Sequence, residues 1–374
     1  MKQSLLQIVR RLFGRRTSLR LLVALSTIVV CAALIGLLQV SRIDPDDLSL
    51  AASPTFLDRS GIVLRYVPDA YGERHIPLPT GELPLKIKQA FLAAEDERFY
   101  SHPGFDPAAI SRAVKSNLIS GKIVSGASTI TQQLSRMVYP RRRTYRDKAI
   151  EILRSARIEL VLDKESILRC YLDRVPMANN LRGVELASRI YFGHAAEHLS
   201  WPEAALLAAL PKAPSLLNPY GDGRDRLTKR RDWILQRLQT LGYIDDQVLQ
   251  DSLREDAAFR PLVFPFEASH LVDRLLQQGG NVGVATTTIN LPLQIVLEQT
   301  LASHRERLRY KGADQAAALI VDNRNMEVVA TAGSLAYGSE ARGFNNGTTA
   351  LRSPGSALKP FLYSLALDAG FTAS

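Results

Sequence analysis

The sequence predicts a mainly α-helical fold behind one N-terminal transmembrane helix, followed by a short α/β piece. Three observations predict it. A stretch without a charged residue covers residues 21–40, apolar residues recur at helical spacing through most of 85–241, and short β-branched runs appear after about residue 285.

Residues 21–40 are long enough to cross a bilayer at ~1.5 Å per residue. Lys2, Arg10, Arg11, Arg15, Arg16 and Arg20 precede them, and positive flanks stay inside. Residues 1–20 are therefore expected to be a basic cytoplasmic tail and 21–41 a single-pass membrane helix, with everything after about Ser41 on the outer side. The alternative is a cleaved signal peptide, but the apolar run exceeds a usual signal core and no clean small-x-small cleavage site follows it. Those six cations also account for most of the net charge of +10, leaving about +4 for the rest of the chain. That excludes charge as a reason to expect a nucleic-acid partner. Cys31 and Cys170 stand far apart in segments of different character, which argues against a disulfide framework or a cysteine metal cluster.

The chain is long enough for one large domain or two. FLDRSGIVLRYV, with a Ser-Gly turn between alternating apolar residues, reads as a hairpin leading into the main domain. Helical spacing follows at 85–100, 108–118, 146–162, 164–172, 184–191, 201–210 and 227–241, and Pro211, Pro214, Pro219, Gly221 and Gly223 break the run. A helical domain over 55–260 is predicted, then a linker region over 261–312 in which 285–290 reads as a strand. Residues 313–374 start a second domain, with a hairpin at 316–322 and 326–331 and a helix at 356–369.

AAEDERFYSHPGFDP sets Phe91, Glu95 and Phe99 four residues apart. On one helix that places the Glu95 carboxylate between two aromatic rings, where desolvation would raise its pKa toward that of a general base. Asp96, Glu97 and Arg98 equally suit a solvated helix end, so the pattern leaves both readings open. GASTITQQ can bring Ser128, Thr129 and Gln133 toward a phosphate or sugar, or can be a plain helix cap. Arg136, Arg141, Arg142, Arg143, Arg146 and Lys148 concentrate positive charge as a pyrophosphate leaving group would require, although charge runs are commonly solvated faces. Glu151 lies three residues from both Lys148 and Arg154, which should hold it charged, unlike Glu95.

The order of EDERFYSHPG, GASTITQQ, Glu151, KESILRCYLDRV, RGVELASRIYFG and EAALLAALPKAPSLLNP resembles the glycosyltransferase domain of class A penicillin-binding proteins. RSPGSALKPFLYSLALDAG points to the 1C branch of that family. The resemblance implies a lysozyme-like helical domain acting on lipid II, with Glu95 as general base and Glu151 as the second essential glutamate. Asp96, Phe99, His102, Ser128, Thr129 and Gln133 would line or shape the cleft. Arg136, Lys148 and Arg146 would meet the pyrophosphate, with a divalent cation such as Mg2+ or Mn2+ as the one cofactor in view. The implied partners are lipid II, the growing glycan chain, membrane lipid and other cell-wall synthesis proteins, at the outer (periplasmic) face of the bacterial cytoplasmic membrane. Three positions depart from the family pattern: Asp147 replaces an arginine, Arg136 a lysine and Asp173 an asparagine.

Ser356-Ala357-Leu358-Lys359 is a Ser-x-x-K of the type penicillin-binding transpeptidases use, without the S-x-N and K-T-G that complete such a site. A truncated transpeptidase domain that neither binds penicillin nor cross-links stem peptides is the expectation. The competing functions are a non-enzymatic membrane-anchored scaffold, a serine acyltransferase using Ser356, and a glycan-cleaving enzyme.

Overall fold

The computed structural model describes residues 15–120, 128–140, 142, 144–256, 258–279, 283–338 and 342–372. It divides into two compact units, one formed by residues up to 52 with 68–263, the other by 53–67 with 264–374.

The first unit is helical: α1 Arg15–Val40, α2 Leu85–Glu95, α3 Pro107–Ser120, α4 Ile130–Val138, α5 Tyr145–Val161, α6 Lys164–Arg174, α7 Val184–Tyr191, α8 Trp201–Ala209, α9 Arg224–Thr240 and α10 Asp246–Arg254. α8 starts at a capping box in which Ser200 accepts from the Glu203 amide and Glu203 accepts from the Ser200 amide. Ala204 to Ala209 are all buried, so this helix has no solvent face, and its alanines let neighbouring backbones approach closely. α2 and α9 pack on it and on each other. α4, with Thr129 as N-cap, packs on α5 and α6, which are capped by Thr144 and Asp163. Gly183 has a positive φ of 79°, and a Cβ there would come within 2.7 Å of the Asp173 carbonyl oxygen, so only glycine allows α6 and the start of α7 to meet.

One expectation for this unit changes. The helix expected over 85–100 stops at Glu95, because Asp96 leaves helical geometry and Phe99–Ser101 forms a separate 3-10 turn. Phe91, Glu95 and Phe99 therefore do not share a helical stripe, although both rings are fully buried. Among the described residues, no helix is long and apolar enough to cross a membrane. Residues 1–14 of the basic tail lie outside the described residues, so the membrane helix and its orientation rest on the sequence alone.

The second unit contains Thr55–Leu57 paired antiparallel with Val63–Tyr66 and parallel with Val284–Thr286. The expected hairpin thus forms, but it joins this unit instead of the helical one. The region expected as linker, 261–312, holds α11 Ser269–Gln277 and α12 Leu291–Tyr310. Buried Val272 and Ala268 join Phe56, Leu64 and Ile289 in a core, and Asn290 caps α12. The predicted second hairpin, Ala318–Asp322 with Glu327–Ala332, is seated by Gln294, whose amide exchanges two 2.8 Å hydrogen bonds with the Thr331 backbone. α13, Lys359–Asp368, buries none of its residues.

Asp173, on α6, is buried and accepts a 2.8 Å hydrogen bond from the Leu78 amide. Burial pushes its carboxyl from 3.8 to about 6, against the Leu78 amide and the charges of Arg169 and Arg174. Because the folded pKa is raised, its contribution is fully present below the unfolded value and is lost as pH rises through about 6. Wild-type protein should lose roughly 3 kcal/mol from this residue over that window. Asp173→Asn keeps the acceptor for Leu78 and should flatten that part of the profile and raise neutral-pH stability. Thermal unfolding from pH 4 to 8 checks this, and parallel profiles for the two proteins would refute it.

Candidate active site

Glu95 is the last residue of α2, and burial pushes its carboxyl upward from the ordinary 4.5. A 2.7 Å hydrogen bond from the Gln133 amide and the charges of Arg230 and Lys212 oppose that rise without cancelling it. Gln133 stands on the first turn of α4, and its amide oxygen accepts from the Tyr171 hydroxyl at 3.4 Å. The expected desolvation of Glu95 is therefore present, but it comes from tertiary packing and not from a stripe on one helix.

Asp96 is buried and does not face a substrate alone. Its carboxylate meets His102 Nε2 at 3.0 and 3.1 Å and accepts from the Ile130 amide at 3.1 Å, so it ties the end of α2 to the start of α4. Thr129 donates to the Gly104 carbonyl at 2.6 Å while capping α4. Phe99 lies in the core, edge-on to His102, with the Lys164 ammonium 4.4 Å from its ring centre. Neither Phe99 nor His102 lines either of the two cavities described below.

Lys148 gathers the other half of the site. Its ammonium donates to Ser128 Oγ at 3.0 Å, Gln132 Oε1 at 2.8 Å and Glu151 Oε1 at 2.6 Å. Arg136 approaches the second oxygen of Glu151 at 3.7 Å. These groups edge a cavity of about 830 Å³ whose wall carries Arg136, Arg142, Lys148, Arg154 and Lys212 against two acids, Asp147 and Glu151. Such an excess of donors suits a polyanion. A second cavity of about 270 Å³ contains Glu95, Asp96 and Glu97, and Ser128 lines both.

Arg146, expected at the pyrophosphate, is exposed and lines neither cavity. It points elsewhere because Asp147 and Lys148 take the cavity side of the first turn of α5. Arg141, Arg143, Gly126 and Ala127 lie outside the described residues. Among the described residues no three His, Cys, Asp or Glu side chains converge on one point, and the Glu151 carboxylate is shared by Lys148 and Arg136. Sequence reasoning missed Arg230 and Lys212 near Glu95, and Tyr139 and Arg154 in the larger cavity. Arg230 sits in RDRLTKRRDW, which reads as a solvated basic helix and gives no signal of its inward contact.

Comparison with known proteins identifies the helical domain that carries this cleft. Residues 61–239 match the transglycosylase family and are a transglycosylase domain. The relatives that match over more of the chain are class A penicillin-binding proteins. Penicillin-binding protein 1C of Escherichia coli is 33% identical over 303 residues, covering 81% of this chain and 39% of that protein. Penicillin-binding protein 1F of Bacillus subtilis is 31% identical over 333 residues, 85% of this chain and 46% of the relative. Penicillin-binding protein 1A of Escherichia coli is 39% identical over 212 residues, 56% and 25% respectively. The chain spans less than half the length of each of these three relatives.

Lys148→Met should weaken binding of inorganic pyrophosphate about tenfold or more, since it removes a charged donor and leaves Gln132 and Glu151 without that partner. Calorimetric titration measures this. Equal affinity in the two proteins would show that the larger cavity is not an anion site.

Proposed function

We propose that the chain is a peptidoglycan glycosyltransferase that joins lipid II units into glycan strands. The observation that carries this reading is the pairing of a half-buried carboxyl with raised pKa, Glu95, with an adjacent cavity walled by five cations. Glu95 accepts the proton of the acceptor sugar's 4-hydroxyl as that oxygen attacks the anomeric carbon of the growing chain. The bond from that carbon to the pyrophosphate oxygen breaks, and undecaprenyl pyrophosphate leaves with the electron pair. Lys148 and Arg136 meet the charge gathering on the leaving group, and Glu151 holds both cations in place. Ser128, shared by the two cavities, spans the distance between proton acceptor and leaving group.

The apolar stretch at 21–40 would anchor the protein in the bacterial cytoplasmic membrane, with its N-terminus in the cytoplasm and the cleft on the outer face beside its lipid-linked substrate. Lipid II, the growing glycan, membrane lipid and other cell-wall synthesis proteins are the partners of this reading. Ser356 and Lys359 are exposed, and among the described residues neither side chain has a hydrogen-bond partner. On this reading the lysine does not activate the serine, and we expect no covalent labelling of Ser356 by fluorescent penicillin. A labelled Ser356 peptide would restore the acyltransferase alternative.

Glu95→Gln should lower polymerisation of lipid II by roughly 100- to 10,000-fold with the fold retained, because the amide keeps the shape and cannot take the proton. Sizing of glycan products checks it. Near-parental activity would remove Glu95 from the reaction, and shortened instead of lengthened glycan would turn the assignment toward hydrolysis. In the parent, activity should fall on the acid side as Glu95 protonates. Gln133→Leu, which deletes the hydrogen bond that lowers the Glu95 pKa, should move that acid limb to higher pH. An unmoved limb would mean that another group titrates.

A further inference from the structure

The smaller cavity contains a surface that proton transfer does not use. Trp233, on α9, lines it together with Glu95 and Ser128 and keeps 43% of its surface exposed. Leu227, Ile234, Leu235 and Leu238 occupy the buried side of α9, which leaves the indole at the cavity wall. The ring is held in place. The Arg230 guanidinium lies 3.9 Å from the ring centre, and Arg230 also donates to the Ala94 carbonyl at 3.3 Å. A cation–π contact and a hydrogen bond thus fix the indole relative to the residue just before Glu95.

The rest of that wall is polar. Arg237 and Arg112 both pair with Glu97, and Ser128 and Thr129 add hydroxyls. A flat apolar plate, held rigid and set beside hydrogen-bonding groups and a proton acceptor, matches a pyranose, which offers a C–H face ringed by hydroxyls. A phosphate matches it poorly, because Glu95, Asp96, Glu97 and Asp106 line the same space. An acyl chain finds no continuous apolar wall there.

We propose that Trp233 is a stacking platform for a sugar ring of the acceptor, and so a substrate-binding residue beside Glu95. The role in acceptor attack rests on the glycosyltransferase reading; sugar binding by Trp233 does not. The chain has two tryptophans, Trp201 and Trp233. Titrating the detergent-solubilised full chain with a soluble GlcNAc–MurNAc tetrasaccharide should change its tryptophan emission saturably, and Trp233→Phe should abolish the change while preserving the ring. In the lipid II assay, Trp233→Ala should raise KM roughly three- to tenfold with kcat within about twofold, and Trp233→Phe should return KM toward the parent. An equal emission change in Trp233→Phe, or no change in the parent, would overturn the proposal. So would a response to sugar-free phospholipid vesicles but not to the tetrasaccharide, which would make Trp233 a membrane contact. If the parent fails to polymerise lipid II yet binds the tetrasaccharide through Trp233, the platform stands and the transferase reading falls.

Discussion

The candidate site depends on the buried carboxylate of Asp96. Its backbone amide closes the last turn of α2 on Leu92, while its side chain accepts from His102 and from the first amide of α4. One residue therefore ends the helix that carries Glu95 and starts the helix that carries Gln133. A buried carboxylate is tolerated only when its oxygens are satisfied, so the positions of His102 and Ile130 are tightly constrained. The Gln133 to Glu95 hydrogen bond follows from that constraint, since Gln133 lies one turn beyond the cap.

From this junction the cleft separates into two electrostatic zones. Around Glu95, burial outweighs the neighbouring cations and the carboxyl is pushed up, with Arg230 and Lys212 limiting how far. Around Glu151, Lys148 and Arg136 approach both oxygens directly. Two acids of the same type thereby acquire different environments from packing alone. Lys212 takes part in both zones, since it lines the larger cavity and its charge also acts on Glu95.

Much of this was legible in sequence because it is local. The helices from α3 to α9 other than α4 were marked by apolar periodicity, and Glu95 and Glu151 by their neighbours. What was not legible is tertiary. Glu95 is desolvated, as anticipated, but through packing that brings α4 against the end of α2, which no spacing within residues 91–99 encodes. α4 itself was less legible because polar Thr131, Gln132 and Ser135 share its buried side, although Ile130, Leu134, Met137 and Val138 keep helical spacing. α11 and α12 were read as linker because the apolar positions of α11 make sense only against strands from residues 55–66 and 284–286, and those of α12 mainly against the hairpin at 318–332. Arg146 and Asp147 show the finest limit: adjacent side chains in one basic run, of which only the second reaches the cavity.

Asp147 also shows how local stability and site chemistry can pull in opposite directions. It sits in the first turn of α5, where its amide is capped by Thr144 and where the helix dipole favours a negative side chain by about 0.3–1 kcal/mol. An arginine there would forgo that contribution. The same carboxylate lines the cation-walled cavity, where it opposes a polyanion. Three of the five cations on that wall, Arg142, Arg154 and Lys212, come from outside the Arg136, Lys148 and Glu151 cluster, so the positive field does not depend on the position that Asp147 occupies. The substitution thus subtracts from a surplus spread over several elements, which explains how an acid can stand in the wall of an anion site without reversing its sign.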